Sequence, residues 1–187
     1  MKLDGTEVLL ARDTAAWEAW LEAHAGDSTG VWLKIAKKGK GGTSVTLSDA
    51  LDAALCFGWI DSIRKSCDEE YYLQKYSPRR PRGSWSRINV DRVAELTAAG
   101  RMRPAGTAEV ERAKADGRWA AAYESQAKAT VPADLAEALA ADPVAAEGFG
   151  ALGKTERYAV ILELAKARTA ERRGVVLGRA LGRLRGE

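Results

Sequence analysis

The chemistry this sequence could do is concentrated between Cys56 and Asn89. Residues 75–92 carry six basic groups, Lys75, Arg79, Arg80, Arg82, Arg87 and Arg92, against one acid, Asp91. Pro78 and Pro81 flank Arg79 and Arg80 and restrict the backbone that presents them. Directly after them, Ser84-Trp85-Ser86 opens a helical pattern. Guanidinium groups beside free amides at a helix start make an anion site: the amides donate, the dipole adds partial positive charge, and arginine forks around carboxylate or phosphate. Asp61 is the internal counter-charge and the candidate acid or base. Cys56 is the candidate nucleophile, and Trp59 and Trp85 are candidate walls.

Each of these residues also has a plain structural use. Ser84 or Ser86 caps a helix in any protein, Asp61 can pin an arginine to a sheet, and Cys56 sits among apolar residues with no local base. The case for a site therefore rests on their coincidence. Other chemistries lack parts. With one histidine, His24, a Ser-His-Asp hydrolase is not assembled, and His24 reads as a helix-end residue. Cys56 and Cys67 match neither zinc spacing nor a disulfide framework, so no metal is expected. No dinucleotide fingerprint is present, and residues 38–42 lack the Ser or Thr of a phosphate loop, so no cofactor is expected.

The elements that must position these residues can be read from periodicity. A strand at 7–11 precedes a helix capped by Asp13, whose Trp17, Trp20 and Leu21 form one stripe. Residues 31–37 alternate, with Val31, Leu33 and Ile35 on one face and Trp32, Lys34 and Ala36 on the other, which predicts an antiparallel sheet with one packed face. Thr46 caps a helix bearing Leu47, Ala50, Leu51, Ala54 and Leu55. Strands at 59–65 and 71–76 follow, joined by a polar hairpin, and the prolines are expected to break regular structure over 77–83. A helix carrying Asn89, Val93 and Leu96 ends at Gly100, and the pattern from Thr107 onward is helical. The expectation is an α+β fold: a small antiparallel sheet packed by helices, then an all-helical C-terminal part. The division expected is 1–126 and 127–187, with a joint near 127–131.

Overall charge is only +3 over 187 residues, but residues 75–92 and 154–187 each carry a local excess of five positive charges. Two basic regions thus lie on an acidic background, a matter of placement rather than net charge. Acids at Asp4 and Glu7 stand where a signal peptide would need an apolar run, and no stretch has membrane-spanning length, so a cytoplasmic protein is expected.

Several segments resemble the YdeI/OmpD-associated family, the bacteriocin-protection proteins. They are Gly30-Val31-Trp32-Leu33-Lys34-Ile35-Ala36-Lys37-Lys38, Ala53-Ala54-Leu55-Cys56-Phe57-Gly58-Trp59-Ile60-Asp61, and Pro78-Arg79-Arg80 through Ser84-Trp85-Ser86-Arg87-Ile88-Asn89. Gly100-Arg101-Met102, Pro104-Ala105-Gly106, Asp116-Gly117-Arg118-Trp119 and Glu156-Arg157-Tyr158-Ala159 continue the match. The resemblance implies a role in protection against antimicrobial peptides or in envelope stress. Its recurrent polar positions fall here on Lys34, Lys37, Lys38, Asp61, Arg79, Arg80, Ser84, Ser86 and Asn89, which adds Lys34, Lys37 and Asn89 to the candidate ligand set.

Three functions are compatible with these residues. The favoured one is a binding or protection module holding a small anionic or aromatic ligand at the arginine loop. The second is a cofactor-independent enzyme using Asp61, with or without Cys56, and anchoring substrate through Arg79 and Arg80. The third, ranked last, is nucleic-acid binding through Arg168, Arg172, Arg173, Arg179, Arg183 and Arg185 of the final helix. Sequence leaves the oligomeric state open.

Overall fold

The computed structural model describes residues 2–187. It contains strands β1 (Lys2–Leu3), β2 (Thr6–Leu9), β3 (Val31–Ala36), β4 (Trp59–Ser66) and β5 (Tyr71–Pro78). Helices α1 (Thr14–His24), α2 (Leu47–Cys56), α3 (Arg87–Ala98) and α4 (Pro104–Ala115) interleave with and follow the strands. A helical run closes the chain: α5 (Ala133–Ala140), α6 (Pro143–Ala151), α7 (Lys154–Lys166) and α8 (Ala170–Arg185). The fold is α+β with a helical C-terminal part. By contacts the chain divides into two compact units, residues 1–83 with 91–117, and residues 84–90 with 118–187.

The first unit holds a five-stranded sheet in the order β1-β2-β3-β5-β4. The sheet is mixed rather than antiparallel throughout, because β2 and β3 run parallel while the other pairs are antiparallel. A parallel neighbour needs a crossover, and α1 provides it between these two strands. Strand β1, which periodicity had not revealed, forms a hairpin through Asp4 and Gly5, both at positive φ, the geometry a two-residue turn requires. Strand β5 runs two residues further than expected, through Ser77 and Pro78. Pro78 stands at its last position opposite Trp59, where losing a donor disturbs the ladder least.

Helices α1 and α2 carry the packed face as their spacing predicts. Trp17 and Leu21 of α1 are fully buried, as are Ala50, Ala53 and Ala54 of α2, and Trp17 Nε1 donates to the Ala50 carbonyl at 3.0 Å. Asp13 caps α1 and Thr46 caps α2, each accepting from the amide three residues on. The reverse face of β3 is not open to water. Trp32 is 1% exposed, with the ammonium groups of Lys65 and Lys75 5.1 and 5.3 Å from its ring. Cations seated on an indole cover it while keeping their own charge solvated.

In the second unit, Leu135, Phe149, Val160, Leu164, Ala167, Val176 and Ala180 form a core. Arg173 ties three helices together: its guanidinium donates to both Asp134 carboxylate oxygens at 2.6 and 2.8 Å and to the Leu164 carbonyl at 2.9 Å.

Candidate functional site

The polar constellation of the first unit is built on the helix-packed face of the sheet. Gly58, at φ +76, ends α2 and turns the chain into β4, where Asp61 lies opposite Tyr76 of β5. Tyr76 in turn lies opposite Val31, so the side chains of Asp61 and Tyr76 share the face of Val31, Leu33 and Ile35. The Tyr76 ring packs 5.5 Å from Trp17. An irregularity between Asp61 and Arg64 shifts the register and sets Arg64 opposite Gln74. Arg64 lies 4.4 Å over the Tyr72 ring and donates from Nε to Gln74 Oε1 at 3.3 Å. Buried Gln74 donates to the carbonyls of Ser62 and Ile63, the residues of the irregular stretch. From α3, Arg92 donates to Ser48 Oγ at 2.5 Å and lies 3.0 Å from Asp52 Oδ1.

Asp61 is half-buried within this frame. Burial pushes its carboxyl above the usual carboxylate range, while its own amide and the charges of Arg79, Arg64 and Arg92 pull it back. One carboxylate thus feels cations from three places: β4, the loop after β5, and α3. Tyr76 is fully buried, and its hydroxyl has no hydrogen-bond partner among the described residues. Burial, and then the negative charge of Asp61, raises this phenol.

The remaining sequence-level candidates are distributed as follows. Arg79 is half-buried and its amide donates to the Gly58 carbonyl at 3.0 Å; Arg80 is exposed, and its carbonyl accepts from the Gly83 amide in a tight turn. Trp59 is a core residue, with Nε1 3.3 Å from the Ala25 carbonyl and its ring edge-on to Trp20. Cys56 is buried at the end of α2, and burial raises its thiol pKa, which disfavours the nucleophilic thiolate. Lys34 and Lys37 are engaged by the β4–β5 turn: Lys34 Nζ pairs with Asp68 Oδ2 at 3.2 Å, and Lys37 Nζ donates to the Asp68 carbonyl at 2.7 Å.

Ser84, Trp85, Ser86 and Asn89 belong to the second unit. Ser86, rather than Ser84, caps α3, accepting from the Asn89 amide at 3.2 Å, and it bridges to Tyr123. Trp85 is buried with its ring 4.9 Å from Trp119. Ser84 and Asn89 are partly exposed. Of the residues grouped here, the sequence singled out Asp61 and Arg79 and counted Arg92 in the basic run, but it did not single out Arg64, Tyr76 or Gln74. Alternation along β5, with Tyr72, Gln74 and Tyr76 on one face, was the available signal; the irregularity that redirects Arg64 leaves none.

The final helix shows where its arginines go. Arg173 is held by Asp134, Arg183 by Glu163 at 2.6 Å, and Arg185 by Asp142 at 2.5 Å. Two of these acids, Asp134 and Asp142, lie outside residues 154–187, so the basic excess counted there is partly neutralised on folding. Among the described residues, no group of three or more His, Cys, Asp or Glu could hold a metal ion, and no helix is long and apolar enough to cross a membrane.

A family model described as a domain of unknown function (DUF8412) matches residues 9–109. A second, described as bacteriocin-protection, YdeI or OmpD-associated, matches residues 128–175. No curated protein and no solved structure matches the chain.

Proposed function

Given that the chain belongs to the family of the domain of unknown function DUF8412 and carries a YdeI/OmpD-associated segment in its helical part, we propose that it is a binding module of the bacteriocin-protection type. It holds a small anionic or aromatic ligand at the edge of β4 where Asp61, Arg64, Arg79 and Arg92 converge. One observation carries this reading: a single half-buried carboxylate lies in the field of three arginines, beside a sealed tyrosine hydroxyl with no partner among the described residues. Asp52 pairs with Arg92, and the guanidinium groups that share the field of Asp61 are the fork-shaped donors that a carboxylate or phosphate would meet. Arg80, exposed on the same loop, extends the charge toward solvent.

Calorimetric titration with benzoate, phosphate and phenyl phosphate tests the reading, alongside native mass spectrometry of protein taken directly from cells. Replacing Arg79 and Arg80 together by Ala is expected to weaken binding at least about tenfold. Undiminished affinity in that variant would sink the proposal. A second reading, in which Asp61 serves as a general acid, is favoured by its raised carboxyl and partial exposure. Turnover with a pH dependence abolished in Asp61→Asn would select it.

A further inference from the structure

The second unit carries a cleft that the reading above does not use. Along the seam of α7 and α8 run two neighbouring cavities. The first, about 380 Å³, is lined by Glu163, Lys166, Ala167, Arg172, Val176, Arg179 and Arg183. The second, about 320 Å³, is lined mainly by Leu152, Ala159, Val160, Ala180 and Leu184, with Glu156 beside them. Glu163 and Arg183 belong to both, and their ion pair, 2.6 Å long with both side chains about half exposed, marks where one lobe meets the other.

The charges of the first lobe are unbalanced. Its only acid is already held by Arg183, while Arg172 and Arg179 have no carboxylate partner among the described residues. Lys166 lies over the Tyr123 ring, 5.2 Å from its centre, a contact that leaves its charge uncompensated by an anion. Ala167 and Val176 give this lobe an apolar floor. The second lobe offers aliphatic surface and no uncommitted cation. A cationic lobe adjoining an aliphatic one across the Glu163–Arg183 pair fits a molecule of matching polarity, and each volume suits a small molecule rather than a macromolecular surface.

We propose that the α7–α8 cleft binds a free, monomeric amphiphilic anion. Its phosphate or carboxylate head lies among Lys166, Arg172 and Arg179, and its short apolar body lies along Leu152, Val160 and Leu184. The arginines fork around the head, and the Glu163 carboxylate competes with it for Arg183. The two directions of that competition make the idea testable. Arg172 and Arg179 are exposed, as is Ala159 on the rim of the aliphatic lobe, so substitutions there spare the core.

Octyl phosphate below its micellar concentration is the probe, titrated into the full chain by calorimetry. Arg172→Ala with Arg179→Ala is expected to weaken binding at least about tenfold, and Glu163→Gln to strengthen it by freeing Arg183. Ala159→Trp, which fills the aliphatic lobe, is expected to reduce octyl phosphate to the affinity of inorganic phosphate. Arg79→Ala with Arg80→Ala should leave this binding unchanged, which separates it from the site in the first unit. Four results would each overturn the inference: no binding, equal binding of inorganic phosphate and octyl phosphate by the parent protein, binding only to anionic vesicles, or salt-sensitive binding of duplex DNA that depends on the same two arginines.

Discussion

Asp61 is the residue on which the candidate site turns, and its protonation gives a direct measure of its surroundings. Burial raises its carboxyl above the unfolded value despite the arginines nearby. An acid raised on folding binds more protons in the native state than in the unfolded one, so stability falls as pH climbs from about 4 through the raised value. Asp61→Asn removes that fall. Urea denaturation at about pH 4 and about pH 7 should show the variant gaining on the parent at the higher pH relative to the lower. An equal difference at both values would mean that Asp61 is not desolvated as described. Asp61 and Arg79 could be named beforehand because charge type and loop chemistry are local properties. Arg64 and Tyr76 could not, since whether they face Asp61 depends on a register that only strand pairing fixes.

At the scale of elements, periodicity predicted helices and strands well where one side was apolar and the other polar, as in α1 and α2. It could not say how near two elements lie. Gly106 of α4 shows the consequence, because a Cβ placed there would lie 2.0 Å from the Cys56 carbonyl oxygen of α2. The same atom would meet nothing within 4 Å at Gly178 in α8. Gly106→Ala is therefore expected to lose about 1–3 kcal/mol or more through overpacking. Gly178→Ala should gain about 0.5–1 kcal/mol from helix propensity alone. Thermal and chemical denaturation of the two variants should show opposite signs; a matching sign would contradict the backbone approach of α2 and α4.

The β4–β5 hairpin makes a second element-level prediction. Asp68 accepts from the amides of Tyr71 at 2.7 Å and Glu70 at 3.0 Å and pairs with Lys34, and the Tyr71 amide leads in lowering its carboxyl to about 2. A depressed acid stabilises the fold above its unfolded pKa, and that help is lost as pH falls toward about 2. Asp68→Ala should lower the melting temperature at neutral pH and speed amide exchange at Tyr71. Unchanged exchange there would show that the turn is held by other contacts.

For the whole molecule, the sequence conveyed an α+β front and a helical tail but not how the chain is shared between them. Residues 84–90 group with the helical unit and 91–117 with the sheet unit, so α3 contributes to both. Such sharing comes from long-range contacts and has no local signal; the Ser86 bridge to Tyr123 and the Trp85 packing on Trp119 are examples. Each unit nevertheless has its own apolar centre, and Leu164 is fully buried in that of the second. Leu164→Ala should cost about 2–5 kcal/mol through lost burial and the cavity left behind. If the cores are energetically separate, hydrogen exchange will accelerate in α5, α7 and α8 while the amides of β3 keep their protection. Equal loss in β3 would mean that the three chain crossings, rather than the two cores, set the unit of cooperativity.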